Sequence, residues 1–489
     1  MATFPYNERS REDCVRLPLP HLVPPSGTPT LFIECTSTYT GAVNTGIQRV
    51  VRNLLRHASE AAARHCYTVV PVIFESGRFV PVDLRKFLTG NVAHGTMQST
   101  TQPSIDPGRR IWRLLLRGLT FLLPFAATRR FFYAPPNQIG LAWYLVLPAR
   151  MLGLRPWPNK LDRPGVIDHP EFGGRDILLL LDASWGYRIW PEVTRFRKSG
   201  GKVVGIIYDL IPVTHREAFS REMSSMFRAW LKEHLRRSDA LICISRSTAE
   251  QVVTFRASMQ KRRPTVPSLP VVEHFMLGSE LDLVEPGARI RPEMERLFPI
   301  GLHTFLMVGT IEPRKNHAYV LDAFDSLWAH GEAATLVILG RPGWKTESFL
   351  ERVADHPQLD KQLFWVRDAS DAELDYAYRN ASALIIASKI EGFGLPVVEA
   401  FQRGLPVLCS DIPVFREIAA GKATFFGLSH PQHLIDAVTH FCRNNDPWQR
   451  GLRQPQSWIS WRESAEQLCD AIMRAVNLPT EPEQRAPGA

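Results

Sequence analysis

The strongest constraint on this chain is a rhythm of short runs that are apolar throughout, several of them trailed by stretches of helical periodicity. The first series comprises "TLFIEC" from Thr30, "ILLLLD" (177–182), "VVGIIYD" (203–209) and "ALICIS" (240–245). After a Pro-rich, charged interval it restarts with "TFLMVG" (304–309), "TLVILG" (335–340), "LFWV" (363–366), "ALIIA" (383–387), "PVLCS" (406–410) and "ATFF" (423–426). Strands without polar alternation belong in parallel sheets covered on both faces. The intervening segments, such as "IQRVVRNLLRHA", place Ile47, Val50, Val51, Leu54 and Leu55 on one helical stripe. The expected fold class is therefore α/β, with two Rossmann-like doubly wound domains.

A chain of 489 residues exceeds one ordinary core, which agrees with two domains. Composition shifts place the boundaries. An N-terminal extension covers 1–28, the first domain 29–275 with an insertion at about 85–170, and a linker 276–300. The second domain covers 301–455, a terminal helix 456–476, and a disordered tail 477–489. Residues 109–133, "RRIWRLLLRGLTFLLPFAATRRFFY", mix apolar side chains with flanking arginines. They suit either a packed insertion or peripheral contact with an anionic membrane, and are too interrupted to span one.

The net charge of +9 suits nucleic acid, anionic lipid or a phosphate-bearing ligand. Nucleic acid is disfavoured, because no aromatic-interleaved basic platform is present. The seven cysteines are scattered and odd in number, with no metal-ligating spacing, so no metal site is expected. Buried thiols, an N-terminus without the apolar core of a signal peptide, and no run of membrane-spanning length together lead to a cytoplasmic expectation. A peripheral position on the inner face of the plasma membrane, through 109–133, is its extension.

Chemistry concentrates in two loops. In "IEGFGLPVVEA", Glu391 follows an apolar strand, while Gly392 and Gly394 permit positive φ and close backbone approach. Pro396 suits a helix start, whose free N–H groups favour an anion, and Glu399 lies one turn in. A carboxylate there can accept both hydroxyls of a vicinal diol. In "MVGTIEPRKN", Glu312, Pro313, Arg314, Lys315 and Asn316 also separate a strand from a helix. Two adjacent cations at a sheet's carboxyl edge match a diphosphate. Either loop alone also reads as a solvated turn. By contrast "GRPGWKT" (340–346) lacks the spacing of a phosphate loop.

With "TGIQRVVRNLL", these loops and the long stretch from Ser370 to Ile418 resemble the family 4 retaining glycosyltransferases of GT-B type, especially bacterial mannosyltransferase-like enzymes of polysaccharide assembly. The resemblance is strong over about 300–440 and weaker over 30–60 and 177–256. It implies two domains facing across a cleft, and a hexose moved from a nucleoside diphosphate to a glycan or lipid-linked acceptor with retention. No cofactor or metal is implied beyond the donor itself. By resemblance Glu391 contacts the donor sugar and reacting centre, Glu399 the ribose, and the backbone of Phe393, Gly394 and Leu395 the sugar and phosphate. Lys315 matches the diphosphate-binding lysine. Thr310 stands where many members carry an arginine, and that role is moved to Arg314.

Gly46 matches the glycine that brings first-domain backbone to the diphosphate. Many members carry His-Asp where this chain has Tyr208-Asp209, which leaves Asp209 as a candidate acceptor contact and His215 as a cleft residue. The expected catalytic set is Glu391, Asp209, Lys315 and Arg314. A GDP-sugar is favoured as donor, with UDP- or TDP-sugars as alternatives. A sugar-nucleotide epimerase of the same architecture and a non-catalytic nucleotide-sugar-binding protein are the rival readings.

Overall fold

The computed structural model describes residues 28–41, 46–83, 172–262, 269–281, 288–444 and 454–477. The expectations for residues 1–27, for 109–133 and most of the insertion, and for 478–489 lie outside the described residues. The structure confirms the α/β class in two sheets. One has seven strands in the order β3-β2-β1-β4-β5-β6-β7, the other six in the order β10-β9-β8-β11-β12-β13.

In the first sheet, β1 (Thr30–Glu34) pairs in parallel with β2 (Thr68–Glu75) on one side and β4 (Ile177–Leu180) on the other. β5 (Lys202–Ile207), β6 (Ala240–Cys243) and β7 (Val271–His274) continue the parallel sheet. Among the described strands only β3 (Arg78–Pro81) runs antiparallel, in a hairpin with β2 turned by Ser76 and Gly77, both at positive φ. β1, β4 and β6 are buried at every residue, as strands covered on both faces must be.

The second sheet is parallel throughout: β8 (Thr304–Val308), β9 (Thr335–Leu339), β10 (Leu363–Val366), β11 (Ala383–Ile386), β12 (Val407–Ser410) and β13 (Thr424–Phe426). Counted from β8, its strands lie in the order 3-2-1-4-5-6 of a doubly wound dinucleotide-binding sheet. The order reverses between β8 and β11. Such a switch point is where open α/β sheets bind ligands, at the carboxyl ends of the strands.

One segment departs from expectation. The range 276–300 is not a plain linker, because Pro292–Arg296 is a short helix with Pro at its first turn. Met294 and Phe298 bury beside it, and Arg291 Nε donates to Glu373 Oε1 at 2.5 Å. Thr36–Thr40, directly after β1, is a short helix that no hydrophobic periodicity announces. The terminal helix Trp461–Asn477 lies against the first-domain helix Gly46–Ala63, with Trp461, Leu468 and Ile472 buried in one core with Leu31, Leu54 and Leu181. Each such side chain contributes roughly 1.5–3 kcal/mol on burial. Arg64 pairs with Glu466 at 2.6 Å, and His65 Nε2 meets Asp470 Oδ1 at 2.8 Å.

Candidate active site

The loop after β8 and the loop after β11 meet across the switch point. The first begins at Gly309 (φ +127°) and ends at Asn316, whose left-handed φ of 61° precedes the helix His317–Ala329. The second runs from Ala387 through Gly394, whose φ of +107° is open to glycine and which starts the helix Leu395–Gln402 with Pro396 in its first turn. A backbone bond from Lys389 N–H to the Arg314 carbonyl, 2.8 Å, ties the loops together.

Glu391 is the centre of the arrangement. Its Oε1 accepts from Lys315 Nζ at 2.5 Å and from Ser388 Oγ at 2.7 Å, and its Oε2 accepts from Arg314 Nη1 at 2.7 Å. Arg314 Nε also donates to Glu312 Oε2 at 2.7 Å. Burial alone would raise the Glu391 carboxyl, but Arg314 and Lys315 overcome it and hold the group at about 2. Burial raises Glu312 and Asp209, against the opposing pull of Arg314. The Asp209 carboxyl, whose Oδ1 accepts the Ile211 N–H at 2.9 Å, therefore sits in the same electrostatic field as Arg314 and Glu391.

Glu399 belongs to a separate set of partners. Its Oε1 accepts from Arg49 Nη1 at 2.7 Å and its Oε2 from Tyr378 Oη at 2.7 Å. The spacing of the two glutamates thus serves two adjoining stations, one with Arg314 and Lys315 and one with Arg49 and Tyr378. The first domain closes directly over them. Ser245 Oγ and Thr248 Oγ1 donate to the Gly392 carbonyl at 2.8 and 3.1 Å. A Cβ at Gly392 would lie 2.1 Å from the Tyr208 carbonyl oxygen. Glu417 caps the first-domain helix Arg246–Arg262, accepting from Arg246 N–H at 2.7 Å and Ser247 N–H at 2.8 Å.

The remaining expected residues fall variously. Gly46 is the first residue of its helix rather than a loop residue, is exposed, and among the described residues has no neighbour where a Cβ would stand. Thr310 is exposed; Phe393 sends its ring into the core against Trp458; Leu395 is half-buried at the helix start. His215 Nδ1 meets Thr214 Oγ1 at 3.0 Å on an exposed turn. Sequence reasoning did not single out Arg49, Tyr378 or Ser388, whose roles come from long-range contact or from a buried hydroxyl at a strand end. The rejected phosphate-loop sequence has a structural use: Gly340 and Gly343 let the chain pass within contact of Gly309 and Ile311 carbonyls. Trp344 Nε1 then donates to the Ala218 carbonyl of the first domain at 2.5 Å.

Residues 295–454 match the family described as "Glycosyl transferases group 1". The matched stretch includes Glu312, Arg314, Lys315, Glu391 and Glu399. The chain is 35% identical over 304 residues to the "Serotype-specific mannosyltransferase WbdA" of Escherichia coli, covering 61% of this chain and 37% of that protein. It therefore spans little more than a third of that relative's length. It is also 26% identical over 273 residues to the "O-antigen chain mannosyltransferase RfbU" of Salmonella typhimurium, covering 55% and 63% of the two chains. Sucrose-phosphate synthase from Thermosynechococcus elongatus shares the fold, with a TM-score of 0.52 at 14% identity over 91% of this chain and 98% of that one. The two sheets with their helices together have the GT-B architecture.

Among the described residues no group of three or more His, Cys, Asp or Glu could hold a metal ion, and no helix is long and apolar enough to cross a membrane.

Proposed function

We propose that this protein is a retaining glycosyltransferase that moves a hexose, with mannose favoured, from a nucleoside diphosphate to a hydroxyl of a glycan or lipid-linked oligosaccharide in cell-surface polysaccharide synthesis. The observation that carries the reading is Glu391 clamped between Arg314 and Lys315 at the switch point of the second sheet. Similarity to proteins named as mannosyltransferases supports the choice of sugar, and with it a GDP-sugar as donor.

In this reading the bond between the anomeric carbon and the diphosphate oxygen breaks, leaving an oxocarbenium-like ring and sending negative charge onto the diphosphate. Arg314, Lys315 and the N–H groups at the start of the helix Leu395–Gln402 meet that charge where it develops, without a metal ion. The acceptor oxygen bonds to the anomeric carbon from the face the diphosphate leaves, and its proton passes to the departing diphosphate oxygen. Glu391, ionised, stands beside the ring's positive charge, Glu399 accepts from the ribose, and Asp209 faces the acceptor. The acceptor enters from the first-domain side.

A thermal-shift panel of GDP-, UDP- and TDP-sugars tests the donor assignment. A ligand at about 100-fold its Kd stabilises by about 2.7 kcal/mol, so the true donor raises Tm before any acceptor is known. GDP-mannose is expected to give the largest rise. An equal response to all three sugars, or none, contradicts the assignment.

A further inference from the structure

The cations nearest the proposed reacting centre are paired with carboxylates before the donor arrives. Arg314 and Lys315 face three carboxylates, Glu312, Glu391 and Asp209, so the pocket carries no surplus of positive charge for an incoming diphosphate. Burial raises Glu312 and Asp209, which reduces the deficit without creating an excess. A tightly held dianion calls for another cation.

Arg49 is placed to supply it. It lies in the first turn of the first-domain helix Gly46–Ala63 and reaches into the second domain, with Nη1 2.7 Å from Glu399 Oε1 and Nη2 3.3 Å from Asp371 Oδ1. The Glu399 side chain is only 3% exposed, with Tyr378 on its other oxygen. A ribose diol that reaches this carboxylate competes with the guanidinium for Oε1. Glu399 stands four residues beyond Leu395, so Arg49 is held about one turn, roughly 6 Å along the helix axis, from the backbone that starts the helix.

We infer that Arg49 is a ligand of the donor's diphosphate contributed by the first domain, held on Glu399 until the ribose takes its place. The inference rests on the reading of this site as a nucleotide-sugar site. It couples two events: the nucleotide's arrival at Glu399 loosens the hold of that carboxylate on Arg49 and turns the guanidinium to the phosphates.

The test compares a nucleoside diphosphate with its parent nucleoside in wild type, Arg49→Ala, Arg49→Gln and Arg49→Lys, by titration calorimetry. GDP with guanosine is the first pair, and UDP with uridine the second. In Arg49→Ala and Arg49→Gln, diphosphate affinity should fall at least 10-fold, while nucleoside affinity stays unchanged or rises because Glu399 is freed. Arg49→Lys should keep most of the diphosphate affinity. Equal weakening of both ligands would show a merely structural arginine and overturn the inference, as would an unchanged diphosphate affinity. Glu399→Gln separates the underlying reading: if it leaves nucleoside affinity at the wild-type value, ribose does not bind there, whatever Arg49 does. A wild type that binds neither diphosphate overturns both.

Discussion

The Lys315 ammonium and the Glu391 carboxylate meet at 2.5 Å where the loops from β8 and β11 converge, 76 positions apart in the chain. Sheet topology brings them together, because β8 and β11 are neighbours at the point where strand order reverses. In the proposed reaction Lys315 exchanges this carboxylate for diphosphate oxygens as charge develops. Lys315→Ala is therefore expected to lower kcat/KM by the equivalent of about 2–4 kcal/mol, the scale of losing one preorganised charge contact. Steady-state kinetics with the donor varied checks this; a loss of only a few-fold would remove Lys315 from the mechanism.

Glu391 also carries an acid signature. Its folded carboxyl is held at about 2 against an ordinary value of 4.5, so its stabilising contribution is present above 4.5 and lost as pH falls through 2. The shift corresponds to about 3 kcal/mol. Glu391→Gln should be less stable than wild type at pH 6 by about that order, with the gap narrowing between pH 4.5 and 2. Urea unfolding across that range reads it. A gap independent of pH would show that the ion pairs contribute nothing.

The other switch point, between β1 and β4, holds the opposite case. Burial pushes the Glu34 carboxyl up to about 7, and Asp182 adds to the rise. Glu34 Oε1 accepts from the Thr36 N–H at 2.8 Å, while its Oε2 has no hydrogen-bond partner among the described residues, and burial raises Asp182 as well. A raised carboxyl favours the fold fully below 4.5 and loses that benefit as pH rises through 7. Glu34→Gln keeps the shape and removes the charge, so its Tm should exceed the wild-type Tm at pH 8 and match it near pH 4.5. The same Tm difference at both pH values would contradict the assignment.

Gly392 tests the contact between the domains. A methyl group there would sit 2.1 Å from the Tyr208 carbonyl oxygen and would push away Ser245 and Thr248, which hold the Gly392 carbonyl. Gly392→Ala should lower kcat at least 10-fold while leaving the second domain's own cooperative unfolding in place. Unchanged kcat would mean that the closed arrangement is not the working one.

Much of this was legible in sequence because strands buried on both faces announce themselves as unbroken apolar runs. All six strands of the second sheet fall within one or two residues of the runs that predicted them. The β2–β3 hairpin is less legible, because Pro71 inside "TVVPVIF" argues against a strand paired on both sides even though "ESG" after it contains a turn signal. Glu391 and Glu399 were found from glycine and proline chemistry around them. Their partners were only half visible: Arg314 and Lys315 sit in one motif, but Arg49 reaches Glu399 across 350 residues, a contact no local pattern encodes.

The central claim is transfer of a hexose from a nucleoside diphosphate, and product formation from isotope-labelled GDP-mannose with a mannose-containing oligosaccharide acceptor tests it most directly. Wild type is expected to give a labelled glycoside with the donor's anomeric configuration, insensitive to a metal chelator, and Glu391→Gln to give none while still folding. Release of free sugar alone, an epimerised nucleotide sugar, or transfer undiminished in Glu391→Gln would contradict the account.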